Sequence, residues 1–168
     1  MNMKKASLLL FLALCAPVIA ENKFEGALKP FLGEPQFEIQ QVFKGGRFPN
    51  LAVATDGTVL AIFGKDGVSL KRSEDGGKTW GEPIVIANPG FMGGGVTVDE
   101  NTGDILAFIE KNHPPATLTV YRSKDHGKTW AAQKDTVIKP DSQGHVPSMH
   151  MNDHGITLRH GDKKGRLV

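Results

Sequence analysis

Three places in this sequence combine reactive side chains with surroundings that suit chemistry. Arg47 stands in Gly45-Gly46-Arg47-Phe48-Pro49. A guanidinium presents a rigid, planar fork of N–H donors that matches a planar oxyanion; the alternative is a solvated arginine ahead of a strand. Asp66 stands in Gly64-Lys65-Asp66-Gly67. Its carboxyl could protonate a leaving oxygen if neighbours raised its pKa, although Lys65 would lower it and Asp-Gly is also an ordinary turn. His145, His150 and His154 lie among Met149, Met151, Asn152 and Asp153. Histidine binds transition metals or substrate hydroxyls. The spacing matches no tight ligand set, so no metal and no cofactor is expected. His150 and His154 stand as candidate substrate contacts against the alternative of a plain polar loop, as does Asn112-His113-Pro114-Pro115.

A repeat must position these groups. RSEDGGKTW at 72–80 returns as RSKDHGKTW at 122–130, fifty residues later and identical at seven of nine places. Upstream of each copy lies an apolar run, a turn (Asp56-Gly57, or Asn101-Thr102-Gly103) and a second apolar run. An Asp-Gly flanked by hydrophobics is a strong hairpin signal. Gly67–Lys71 and Ala116–Tyr121 then lead into the nonapeptides, and Pro83–Ala87 and Thr136–Ile138 follow them. Each unit thus predicts four short strands in one antiparallel meander, and a third unit starts at Gly155-Ile156-Thr157-Leu158. Four-stranded units at this period point to an all-β propeller. Within the nonapeptide, Ser73, Asp75, Gly77, Thr79 and Trp80, with Ser123, Asp125, Gly127, Thr129 and Trp130, read as a tight structural turn between third and fourth strands. A calcium loop would bring together more carboxylates. Strands alternate in direction, so these turns share one end of the blades with the Asp56-Gly57 and 101–103 turns. Arg47, Asp66 and the 142–154 connection belong to the other end, where a cleft is expected.

The first twenty residues are of a different kind. Lys4 and Lys5 precede an apolar run from Leu8 to Ile19 that ends before Glu21, the pattern of a cleaved export signal. The mature chain is therefore expected to be secreted or periplasmic, with no membrane segment. Removing the leader removes Cys15, the sole cysteine, and leaves 18 basic residues against 18 acidic ones. A neutral, thiol-free chain rules against disulfides, and nothing in its charge favours nucleic acid. Residues 21–41 read as a lead-in and 42–168 as a partial propeller, with blades at 46–88 and 94–139 and the start of a third at 154–168. Propellers close with about 4–8 blades, so the chain is expected to be a fragment.

The pattern Ser-x-Asp-x-Gly-x-Thr-Trp resembles the Asp-box, or bacterial neuraminidase repeat, of the sialidase superfamily. Gly46-Arg47-Phe48-Pro49-Asn50-Leu51, followed by the hairpin around Asp56-Gly57, is similar to the Arg-Ile-Pro motif and first hairpin of exo-α-sialidases, with Phe48 in place of isoleucine. The likeness runs from about Val42 to the end and implies a six-bladed propeller when complete. It implies that Arg47 is the first of three arginines clamping a sugar carboxylate, and that the acid/base aspartate lies on the loop holding Asp66, which is shorter here than in the family. The other two arginines and the glutamate partner of the tyrosine nucleophile would lie in later blades; Tyr121, the sole tyrosine, sits on a strand beside the second Asp-box. The resemblance thus implies an exported glycoside hydrolase releasing terminal sialic acids from glycoconjugates, here truncated and inactive alone. The alternatives are a non-catalytic Asp-box propeller that binds glycan or protein, and a hydrolase of another polysaccharide on the same scaffold.

Overall fold

The computed structural model describes residues 39–64, 66–93, 95–136, 138–145 and 154–168. The leader expected over 1–20, most of the lead-in, Lys65 and His150 lie outside them. The described residues form two four-stranded antiparallel sheets and a further hairpin, with no helix among them. The first sheet is a meander of β1 (Asn50–Val53), β2 (Val59–Phe63), β3 (Val68–Ser73) and β4 (Ile84–Ala87). The second repeats the order with β5 (Val96–Val98), β6 (Ile105–Glu110), β7 (Leu118–Ser123) and β8 (Ala131–Ala132). Both sheets are open four-stranded meanders, as the blades of a propeller are.

The strands follow from alternation. In β3, Val68 and Leu70 point inward while Ser69 and Lys71 are partly exposed; in β6, Ile105, Ala107 and Ile109 point inward. These inward faces meet. Leu60, Ile62, Val68 and Leu70 of the first sheet join Met92, Val96, Ile105, Ala107 and Ile109 in one core. Each fully buried Leu or Ile contributes about 1.5–3 kcal/mol relative to exposure. The opposite face of the first sheet leaves Leu51, Val53 and Val85 exposed.

The two nonapeptides close the same turn twice. Ser73 Oγ donates to Asp75 Oδ1 (2.7 Å) and accepts from the Gly77 amide (2.8 Å). Asp75 also accepts from the amide (2.9 Å) and hydroxyl (2.6 Å) of Thr79. Ser123, Asp125, Gly127 and Thr129 repeat this set at nearly the same distances. The Thr79 and Ser73 hydrogen bonds hold the Asp75 carboxyl far below the usual carboxylate range. At Asp125 partial burial pushes upward, but the Thr129 and Ser123 bonds outweigh it and lower the pKa to about 2. Both oxygens of each carboxylate are engaged within their own turn.

The position at which the copies differ lies at a contact between the sheets. His126 replaces Gly76 and keeps its left-handed backbone, with φ of 58° against 74°. Arg72 Nε donates to the His126 carbonyl at 3.0 Å, and His126 Nδ1 lies 3.7 Å from Asp56 Oδ1. The second nonapeptide is thereby tied to the first sheet.

One strand departs from expectation. The fourth strand of the second sheet lies at Ala131–Ala132, paired with Tyr121 and Arg122, ahead of the expected Thr136–Ile138. Pairing resumes directly after Trp130, and a turn in which the Thr136 amide donates to the Gln133 carbonyl (3.2 Å) then ends it. In the first sheet β4 starts later and reaches back past a bulge at Val68/Ser69. The third hairpin forms where expected, with Thr157 opposite Leu167. It is fastened to the second sheet by Thr157 Oγ1 donating to the Val98 carbonyl (3.1 Å) and by Arg159 on both oxygens of Glu100 (2.9 and 2.7 Å).

Candidate functional site

The loop ends opposite the nonapeptides are drawn together by backbone hydrogen bonds. The Gly64 amide donates to the Arg47 carbonyl (3.1 Å), and the Gly64 carbonyl accepts from the Met92 amide (2.9 Å). Phe91 and Glu110 exchange two further bonds, from the Phe91 amide to the Glu110 carbonyl (2.8 Å) and back (3.1 Å). The start of β1, the end of β2, the segment before β5 and the end of β6 therefore share one place. The connection after β2 is very tight. A Cβ at Gly64, where φ is 149°, would lie 1.8 Å from the Gly67 carbonyl oxygen, so only glycine fits.

Arg47 is exposed at this end, and its guanidinium carbon lies 4.7 Å from the centroid of the Phe48 ring. Phe48 packs on Phe91 (centroids 4.7 Å apart), and Phe91 on His113 (5.1 Å, edge-on). A row of Arg47, Phe48, Phe91 and His113 thus crosses from the first blade to the second. Asp66 is exposed two residues beyond Gly64, at the same end. An exposed carboxyl on a short loop and an exposed guanidinium thus occupy the same end of the first blade, the two residue types that proton donation and anion recognition would use.

The other candidates are distributed differently. His145 Nδ1 engages Asp141 Oδ2 at 3.0 Å in the exposed connection after the second sheet. His154 is exposed just ahead of the third hairpin. Among the described residues no group of three or more His, Cys, Asp or Glu is placed to hold a metal ion. Tyr121 lies on β7, paired with Ala107 and Ala132 and packed against the core.

Glu110 was missed by sequence reasoning. It ends β6 with its side chain fully enclosed at the same end as Arg47. The available signal was an acid closing an apolar run, where a buried carboxylate needs compensating partners and so carries information. A groove of about 450 Å³ lies at the opposite end, lined by Arg72, Glu74, Thr79, Gly81, Glu82 and Ile84. Arg72, the cation of that lining, pairs with Glu74 at 3.1 Å and is tied to His126, so it is not open to an anion. The chemistry therefore favours the Arg47 end over this groove.

Comparison with known proteins agrees with this architecture. No family model matches the chain. A sialidase of Micromonospora viridifaciens is 31% identical over 210 residues, an alignment covering 98% of this chain and 32% of that protein. The chain thus spans about a third of the curated relative's length. Among solved structures, Hadza microbial sialidase Hz136 superposes with a TM-score of 0.50 at 22% identity, over 67% of this chain and 30% of that one, which shows a shared fold.

Proposed function

We propose that this chain, a relative of the sialidases by sequence and by fold, forms the opening blades of an exported exo-α-sialidase-type glycoside hydrolase that removes terminal sialic acids from glycoconjugates. The observation that carries the reading is Arg47, exposed at the loop end where the starts of both blades converge. In this role the guanidinium fork takes the sugar carboxylate through two parallel charge-assisted bonds. Asp66 supplies the proton to the departing aglycone oxygen, and the acid must be protonated when the glycosidic bond lengthens. His150 and His154 contact the sugar from the connection to the third blade. Because the chain covers 32% of its curated relative, the activity proposed is that of the whole protein in which these blades sit.

Release of a fluorogenic sialoside by that protein tests the proposal. Turnover should be lost in Arg47→Ala and strongly reduced in Asp66→Asn. Unchanged turnover in Arg47→Ala would remove Arg47 from the site.

The tight 64–67 loop favours a second reading, a propeller that binds glycan without cleaving it, because so short a loop leaves few groups to tune an acid. Binding of a sialoside without any release would select it.

A further inference from the structure

We infer that Phe48 is a positioning residue for Arg47, holding the guanidinium over an aromatic stack so that its N–H edge stays available to an anion. The inference rests on the reading of Arg47 as the carboxylate-binding residue, and it adds a group that acts through Arg47 without touching substrate.

The backbone carries the first observation. Phe48 has φ of 58°, a left-handed conformation that is unusual for a bulky residue. It also precedes Pro49, and the residue before proline prefers an extended conformation. Such an outlier persists only where its surroundings over-determine it. Those surroundings are visible. The Arg47 carbonyl is fixed by the Gly64 amide, and the Phe48 ring packs 4.7 Å from Phe91, which is itself 2% exposed and backed by His113.

The left-handed residue has a geometric consequence. In an extended chain, successive side chains point to opposite sides. At Phe48 that alternation is broken, and the ring and the Arg47 guanidinium meet at 4.7 Å. An arginine on the surface otherwise loses rotamer freedom when it binds. A cation over a ring is restrained through the π-face and not through its N–H groups. The stack therefore restricts the side chain beforehand while the donors remain free. Phe91, contributed by the segment before the second blade, makes this arrangement depend on the two blades being packed together.

The test uses the whole protein in which these blades sit, by NMR of its selectively labelled Arg47 side chain and titration with N-acetylneuraminic acid. In the folded wild type the Arg47 side-chain protons should be displaced by the ring current of Phe48. Phe48→Leu should return them to ordinary positions, and Phe48→Tyr should preserve the displacement. Carboxylate binding should weaken roughly two- to fivefold in Phe48→Leu, the value of an exposed cation–π contact, and recover in Phe48→Tyr. Undisplaced Arg47 resonances in the folded wild type would overturn the inference. So would equal affinity of wild type and Phe48→Leu once the displacement is lost. If the displacement follows the ring but N-acetylneuraminic acid binds no form of the whole protein, the stack stands and the functional reading falls.

Discussion

The two nonapeptides permit a comparison in which one variable changes. Gly77 and Gly127 hold equivalent places with φ of 92° and 83°, so alanine at either position incurs the same left-handed penalty, about 1–2 kcal/mol. Their surroundings differ. A Cβ at Gly77 meets only Trp80 Cζ2 at 3.8 Å, an ordinary contact. A Cβ at Gly127 would lie 2.9 Å from Leu60 Cδ2 and 3.2 Å from Leu60 Cδ1, and Leu60 is fully buried in the first blade. Overpacking of this kind adds about 1–3 kcal/mol. Gly77→Ala should therefore cost about 1–2 kcal/mol and Gly127→Ala about 2–5 kcal/mol in urea unfolding. Leu60→Ala is destabilising alone, by about 2–5 kcal/mol, but in the Gly127→Ala background it should cost about 1 kcal/mol less because the clash is gone. Equal losses for the two glycines, or strict additivity with Leu60→Ala, would refute the packing of the second nonapeptide against the first blade.

Arg72→Met removes the charged bonds to the His126 carbonyl and Thr58 Oγ1, and should lower stability by about 2 kcal/mol; a neutral effect in urea unfolding would deny the link between the sheets. The lowered pKa values of Asp75, Asp125 and Asp56 set the pH response. Groups depressed in the folded state stabilise it above their unfolded pKa and lose that contribution as pH falls through the folded value. The urea midpoint should hold above about pH 5 and decline toward pH 2, with a shallower decline in Asp125→Asn; a midpoint independent of pH would contradict the hydrogen-bonded turns. Glu100→Gln should increase amide exchange in the 155–168 hairpin at low salt and have no effect at high salt, since an exposed pair is screened. Unchanged exchange at low salt would assign the hairpin's attachment to Thr157 instead.

Much of the fold is legible in the sequence because a repeat states it twice. Period-two alternation in Val68–Ser73 and Ile105–Glu110, bounded by Asp-Gly, Asn-Thr-Gly and the nonapeptides, specifies strands and turns together. The displaced β8 shows where local pattern fails. Thr136–Ile138 has strand composition, but pairing with β7 begins immediately after Trp130 and a turn closes it first. Period and propensity do not reveal which residues find a partner strand. The site was legible in part. Arg47 and Asp66 follow from motif and loop position, and the backbone bonds through Gly64 and Met92 bring that end together. The row of Phe48, Phe91 and His113 was not legible, because it joins residues more than forty positions apart and depends on a left-handed Phe48 that no local preference favours. The enclosed side chain of Glu110 escaped for a similar reason, since burial at the end of a strand is decided by the neighbouring blade.

The central claim is that Arg47 recognises a sugar carboxylate at the loop end of these blades. The most direct measurement compares N-acetylneuraminic acid with its methyl ester, titrated into the isotope-labelled whole protein that carries these blades and followed by chemical shift. The acid should perturb Arg47 and residues 46–49, 64 and 91–92, the ester should do so far less, and Arg47→Ala should abolish the difference. Equal perturbation by acid and ester, or changes confined to the end carrying the nonapeptide turns, would contradict it.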